Sequence, residues 1–249
     1  GNLNPLPANK ASGNDADAWG SNGTSVFDPV LAELLYGWFC KKGGSILDPF
    51  AGGSVRGVVA CWLGYQYMGI DLSKIQIEAN KRQWAKIREK KTHGHDPQWI
   101  CGDSASILPT LKTEFDFVFS CPPYGNLEVY SDDASDLSNM PHEHFISAYR
   151  KIISASVSLL RDNRFACFVV GDFRDENGFY RNFVSDTIAA FQDAGARLYN
   201  EAILINAIGT LPLRVGRFFA GYRKLGKAHQ NVLVFYKGDP DLIKENFGE

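Results

Sequence analysis

Short apolar runs alternate along this chain with stretches whose apolar residues recur at helical spacing. The run ending at Asp48, Tyr65–Ile70, Gln98–Cys101, Phe115–Phe119 and Arg164–Gly171 each read as a strand bounded by turn signals. Between and around them, Val30–Phe39, Val55–Leu63, the cation-rich Ser73–Lys91, Pro141–Leu160 and Phe179–Ala194 read as helices. In Pro141–Leu160 the apolar positions Phe145, Tyr149, Ile152, Ile153, Val157 and Leu160 mark one face. Leu198–Ile205 and Asn231–Tyr236 close the pattern as two strands with no obvious helix between them, which suits an antiparallel hairpin. Alternating strands and helices predict an α/β fold built on a mostly parallel sheet. Residues 1–25, polar and rich in Gly, Asn, Ala and Ser, read as an N-terminal arm. Residues 26–240 read as one domain interrupted at about 125–140 and 206–228, and 241–249 as a tail.

Two turns at strand ends carry candidate chemistry. The first is Ser120-Cys121-Pro122-Pro123-Tyr124-Gly125. Consecutive prolines cannot donate to a sheet ladder, so the strand must end there, where an α/β sheet presents its ligands. A stiff turn with outward carbonyls and an aromatic ring suits a flat group bearing an exocyclic amine. The plain alternative is a Pro-rich corner. The second turn is Asp48-Pro49-Phe50-Ala51-Gly52-Gly53-Ser54, between a strand and a helix. Its glycines allow close backbone approach to a ligand. The next strand ends in Asp71, about twenty positions on, where a ribose hydroxyl pair would sit. Spacing differs from that of the dinucleotide fingerprint, and Asp48 suits a cationic amino-acid moiety better than a pyrophosphate.

With these motifs in this order, the sequence resembles the S-adenosylmethionine-dependent DNA amino-methyltransferases of the N6-adenine and N4-cytosine type. Asp48-Pro49-Phe50-Ala51-Gly52 looks like their cofactor motif, and Gly69-Ile70-Asp71 like the acidic strand end that holds the ribose. Cys101-Gly102-Asp103 looks like the strand end that contacts the adenine amine, and Cys121-Pro122-Pro123-Tyr124 like the catalytic motif. Phe27-Asp28-Pro29 resembles the segment that closes over the methionine end. Leu127-Glu128-Val129-Tyr130-Ser131 is similar to a feature of a phage and prophage subgroup. The resemblance implies a class I methyltransferase fold: a Rossmann-like, seven-stranded, mostly parallel sheet with helices on both faces. It also implies S-adenosyl-L-methionine as cofactor, held by Phe27, Asp28, Asp48, Pro49, Phe50, Ala51, Gly52, Gly53, Asp71, Leu72, Asp103, Ser104 and Ser120. Cys121, Pro122, Pro123 and Tyr124 would be the catalytic set, acting on a flipped-out base of double-stranded DNA in the cytoplasm of a bacterial host.

One residue departs from the family pattern. Position 121 holds Cys where the family has Asp, Asn or Ser to hydrogen-bond the target amine, and a thiol is a weaker partner. Three readings stand: a poor hydrogen-bonding partner helped by Ser120 or an acidic neighbour, a small buried residue without a chemical role, or a nucleophile toward a pyrimidine. Enzymes of that last kind carry the reverse order, Pro-Cys. Because Cys121 fits neither the usual Asp nor the usual Ser, the target base stays open between adenine and cytosine.

Composition narrows the partners. The 249 residues, 45% hydrophobic and 22% charged, suffice for one sizeable core. No apolar run approaches a membrane span. Five scattered cysteines without C-x-x-C spacing point to a reducing compartment rather than a disulfide framework or zinc site. His142 and His144 lack the spacing of a zinc helix and read as surface groups. The chain begins with Gly1 rather than Met, which reads as a tag remnant or a fragment.

The two insertions differ in charge. Residues 126–140 include Glu128, Asp132, Asp133 and Asp136, and read either as a solvated acidic loop or as a lid that orders on the substrate, with Glu128 and Asp132 orienting the amine. From Ala202 to Gly238 no acidic residue occurs, although the net charge is −2. Arg214, Arg217, Arg223, Lys224 and Lys227 are interleaved there with Phe218, Phe219, Tyr222 and His229. Cations beside aromatics can hold phosphates and fill the gap left by a displaced base, so Arg214, Arg217, Tyr222, Arg223, Lys224 and Lys227 are the nucleic-acid candidates. No large target-recognition domain is visible, which leaves room for a separate or fused specificity domain. RNA is the alternative substrate. A methyltransferase acting on a protein release factor or a small molecule, and a degenerate cofactor- or DNA-binding protein, are the other readings.

Overall fold

The computed structural model describes residues 26–90, 94–124, 139–206, 209 and 211–248, the side chain of residue 214 excepted. The expected N-terminal arm and the acidic stretch 125–138, with Glu128 and Asp132, lie outside those residues. The chain divides into two units. Val26–Asn206 with His229–Glu249 forms one, and Gly1–Ser25 with Ala207–Ala228 the other.

In the larger unit, α1 (Pro29–Phe39) opens on Asp28, whose carboxylate accepts the N–H groups of Val30 and Leu31 at 2.8 and 3.4 Å. Pro29 occupies the first turn, where its missing N–H is no loss. Three strand–helix repeats follow: β1 (Ser45–Asp48) and α2 (Val55–Trp62), β2 (Gln66–Asp71) and α3 (Lys74–Arg88), then β3 (Gln98–Cys101) and the short α4 (Ser104–Ile107). Next come β4 (Phe115–Ser120), α5 (His142–Ser158), β5 (Leu160–Val170), α6 (Phe183–Asp193) and β6 (Arg197–Ile205). After the smaller unit, which contains α7 (Leu211–Tyr222), β7 (His229–Lys237) and α8 (Ile243–Phe247) complete the larger one.

The sheet has seven strands in the order β3-β2-β1-β4-β5-β7-β6, and β7 runs antiparallel to both its neighbours. This matches the predicted Rossmann-like class, with helices on both faces. Side-chain alternation in β5 serves the two faces. Ala166, Phe168 and Val170 join the core that includes α5 and α6, while Phe165, Cys167 and Val169 join the core that includes α1 and α2.

Three expectations change. The last strand pair is an antiparallel hairpin, but a helix, α7, lies in the chain between its strands. Helix α6 begins at Phe183 rather than Phe179, because Arg174 and Tyr180 form an isolated bridge and Asn182 turns left-handed (φ 62°) before the helix. The Asp172 carboxylate then accepts the Val184 N–H at 3.1 Å, so Asp172 caps α6. The tail is folded: α8 sets Phe247 against Phe165 with ring centroids 5.0 Å apart.

Candidate functional site

Connections leave β1 toward β2 and β3 on one side and β4 toward β5 on the other, so the strand order reverses between β1 and β4. That reversal opens a crevice at the carboxyl ends of the strands, the usual ligand position in such sheets. The two turns singled out from sequence are the two sides of it. The Ser120 hydroxyl donates to the Asp48 carboxylate at 2.6 Å and accepts the Phe50 N–H at 3.2 Å. Ser120 therefore joins the two turns beneath the crevice and is itself fully buried.

The glycine turn is held from below by side chains that bond its backbone polar groups. Asp48 is 0% exposed, and its carboxylate accepts from Arg56 Nε (2.7 Å), the Tyr67 hydroxyl (2.7 Å), Ser120 and the Phe50 N–H (3.2 Å). Sequence alone places a ligand's cation opposite Asp48; the cation found there is Arg56 of the protein itself. Arg56 also donates to the carbonyls of Phe50 (2.6 Å) and Ala51 (3.0 Å). Burial acts to lower the Arg56 pKa, but Asp48, Tyr67 and Cys121 together outweigh it and raise the value, keeping the guanidinium charged. Phe27 packs its ring over that guanidinium at 4.9 Å and meets Phe119 edge-on at 5.6 Å. Asn80 donates to the Gly52 carbonyl (2.7 Å) and Ser104 to the Pro49 carbonyl (2.6 Å). Gly52 adopts φ +50°, and a Cβ at either Gly52 or Gly53 would meet no atom within 4 Å, so the upper side of the turn faces open space.

Two more carboxylates follow along the carboxyl edge. Asp71, at the end of β2, accepts the Gly52 N–H and the Ser73 N–H, both at 2.8 Å, one on each oxygen. Burial raises its pKa, and the two N–H donors oppose that rise. Asp103, after β3, caps α4 by accepting the Ala105 N–H (2.9 Å) and the Ser106 hydroxyl (2.7 Å). Since each carboxylate has about four acceptor positions, Asp71 and Asp103 keep lone pairs for a ligand where the enclosed Asp48 does not. Leu72 is half-buried beside Asp71. Among the described residues, no group of three or more His, Cys, Asp or Glu side chains is arranged to hold a metal ion.

On the other side of the crevice, Pro122 is buried, while Cys121, Pro123 and Tyr124 are half-buried. The Tyr124 ring sits among Phe183 (6.2 Å, edge-on) and Phe173 (6.5 Å, tilted), and its hydroxyl accepts a hydrogen bond from the Gln230 amide on β7. Burial pushes the phenol well above its ordinary range, the Cys121 thiol acts in the same direction, and the Gln230 bond opposes it. His142, expected at the surface, stacks on Phe145 (6.2 Å) and meets Phe173 edge-on (6.4 Å).

No family model and no curated protein matches the sequence. Solved structures do match. TrmN from Thermus thermophilus aligns with TM-score 0.55 and 16% identity over 85% of this chain and 49% of that one. A SAM-dependent methyltransferase from Methanosarcina mazei aligns with TM-score 0.55 and 12% identity over 86% and 99% of the two chains. An rRNA methylase from Streptococcus thermophilus aligns with TM-score 0.53 and 9% identity over 87% and 100%. The fold is that of the class I methyltransferases. The chain spans about half the length of the Thermus thermophilus protein.

The smaller unit holds the basic–aromatic stretch. Helix α7 ends in a left-handed residue, Arg223 (φ 54°), whose N–H reaches the Phe219 carbonyl at 2.9 Å while the Lys224 N–H reaches the Phe218 carbonyl at 3.4 Å. This closure folds the Arg223 guanidinium over the Phe219 ring (5.1 Å) and the Lys224 amine over the Tyr222 ring (5.5 Å). Arg217, Tyr222 and Arg223 are exposed; Lys224 and Lys227 are half-buried. Sequence reasoning thus found the cations but missed the helix that spaces them. It also missed Arg56 and Gln230. An arginine two positions after the turn's last serine was a visible signal; Gln230 had none, because its partner is 106 positions away.

Proposed function

We propose that this protein is an S-adenosylmethionine-dependent methyltransferase that methylates an exocyclic amine of a nucleic-acid base, with adenine N6 or cytosine N4 of double-stranded DNA as the first substrate class. The observation that carries the reading is the junction of the two turns across the strand-order reversal, through Ser120, Asp48 and Phe50. The cofactor fits the residues present: the Gly52–Gly53 turn has open space above it, and Asp71 and Asp103 keep acceptor capacity at successive strand ends. When bound, it would supply an electrophilic methyl group on a cationic sulfur. Asp71 and Leu72 would hold its ribose, Asp103 and Ser104 its adenine side, and Phe50 to Gly53 its amino-acid end. In this reading Asp48, Pro49, Ser120 and Phe27 set the shape of that turn.

The rest of the mechanism belongs to positioning. A base stacked in a duplex cannot reach the crevice, so it must be displaced. Tyr124 stacks on the displaced base. The Pro122 carbonyl and the Cys121 thiol accept or share the hydrogens of its amine, which turns the nitrogen lone pair toward the crevice, and the stiffness contributed by Pro123 keeps that geometry. Catalysis then comes from proximity and orientation. Arg217, Tyr222, Arg223, Lys224 and Lys227, with Arg214, contact the phosphate backbone. The stacking of Arg223 on Phe219 and of Lys224 on Tyr222 supports this role, since it presents cations and flat apolar surface together. RNA is the second reading, favoured by the shared fold of the Streptococcus thermophilus rRNA methylase. The five free cysteines support a reducing, cytoplasmic setting, and a specificity domain carried elsewhere would supply sequence preference.

The deciding experiment is transfer of labelled methyl from S-adenosylmethionine to unmethylated duplex DNA and, in parallel, to RNA, followed by nucleoside mass spectrometry. N6-methyladenine or N4-methylcytosine from DNA is the expected product. A methylated base from RNA alone moves the substrate class. Cofactor binding without transfer to either would leave a binding protein and overturn the catalytic reading.

A further inference from the structure

Gln230 is a residue that the catalytic reading does not use. It lies on β7, directly after His229, and donates from its side-chain amide to the Tyr124 hydroxyl. It arrives there because β7 is reversed: Asn231 pairs with Val170, the last residue of β5, so the start of β7 lies at the same edge as the ends of β4 and β5. Gly171, the next residue after β5, keeps the passage open. A Cβ there would touch the Gln230 Cγ at 3.7 Å and the Tyr124 hydroxyl at 3.9 Å, so any larger side chain would intrude between the two. Three separate stretches of chain therefore converge on one phenol.

We infer that Gln230 is the positioning residue for Tyr124: it anchors the phenol from β7 and so fixes the orientation of the ring on which the target base stacks. The inference rests on the function proposed above. A ring torsion at a tetrahedral–planar bond is broad and two-fold, so packing alone leaves the ring plane loosely set. Phe173 and Phe183 contact the ring without saturating any direction-dependent group. The amide donor adds direction, because a phenol oxygen accepts best near the plane of its ring. It also leaves the phenol proton free for the Cys121 thiol beside it. A pair of this kind orients both ends of the catalytic turn, the ring at 124 and the thiol at 121. The stacking itself needs only a ring, so the hydroxyl of Tyr124 has its use in this anchor.

The test is a double-mutant cycle on the full chain with Gln230→Leu, Tyr124→Phe and the double variant. Gln230→Leu is expected to lower kcat for methyl transfer about tenfold, the effect of one lost hydrogen bond, with cofactor binding by calorimetry unchanged. In the Tyr124→Phe background the same substitution is expected to have almost no further effect. Additive losses would overturn the inference. A second readout does not depend on turnover: meta-fluorotyrosine at position 124, followed by fluorine NMR. The fluorine resonance of the parent should shift and broaden in Gln230→Leu as the ring plane loosens, and an unchanged spectrum would refute the anchor. A parent protein inactive on every nucleic acid would sink the proposed function instead, with the NMR still deciding whether Gln230 holds the ring.

Discussion

The Arg56 guanidinium and the Asp48 carboxylate meet at 2.7 Å directly beneath the glycine turn, and neither is reached by solvent to any useful extent. Removing one partner of such a pair leaves the other buried and uncompensated, a loss of about 3–5 kcal/mol. Arg56→Ala should therefore lower the denaturant midpoint markedly. Arg56→Lys keeps the charge but cannot reach Asp48 and the two carbonyls of Phe50 and Ala51 in one planar fork. It should retain more stability than Arg56→Ala while weakening cofactor binding at least tenfold, which calorimetry on the two variants would check; equal cofactor affinity in parent and lysine variant would show that the turn does not depend on the fork.

Arg223 separates folding from binding in one substitution. Its left-handed backbone suits glycine, and a non-glycine residue there is strained by about 1–2 kcal/mol. Arg223→Gly should leave the protein as stable or slightly more stable, yet weaken nucleic-acid binding and reduce its salt dependence by about one counterion. Thermal melting and binding titrations at several salt concentrations measure the two effects. A salt slope unchanged from the parent would remove Arg223 from the interface.

Sequence legibility followed the range of the interactions. The alternation of strands and helices was legible because each apolar run answers to its own local period, and the seven-stranded class followed. The turns at Asp48 and Cys121 were legible as strand ends because glycines and consecutive prolines stop a strand. What escaped was set by long-range pairing or by competition between local options. Asp48 read as a ligand because its partner Arg56 lies on the far side of the turn it holds, and helix α7 was hidden by Gly216 and Gly221, which lower its helix propensity. Helix α6 lost its first turn to the bridge between Arg174 and Tyr180, a contact that no periodicity encodes.

His142 should make the site acid-sensitive. Burial lowers its pKa from the ordinary 6.5, with nearby Arg181 acting in the same direction and Asp186 and Glu143 opposing. The neutral ring is the form that fits against Phe145 and Phe173. Its contribution is therefore complete above pH 6.5 and is lost as pH falls through the lowered folded value. His142→Phe should flatten the stability profile on that side. Parallel denaturation curves from pH 7 downward would show it, and identical slopes in the two proteins would count against the assignment.

Cys121 divides hydrogen bonding from covalent chemistry. If the thiol only shares the amine's hydrogens, Cys121→Ser should keep measurable methyl transfer and Cys121→Ala should lose about tenfold, with cofactor affinity unaffected by either. No adduct between protein and nucleic acid should then survive denaturation. Complete inactivity of the serine variant, together with a stable adduct in the parent, would instead identify a nucleophile.

The reversal of β7 has a consequence beyond Gln230. Because β6 stops at Ile205 and β7 starts at His229, paired to one another, both ends of the intervening stretch are tied to the carboxyl edge of the sheet by ladder bonds. The entropy of closing such a connection rises only slowly with its length. Insertions, deletions and changes of charge there should leave the Ile205–His229 register unchanged. The length and charge of this connection can therefore vary with little demand on the ladder that flanks it.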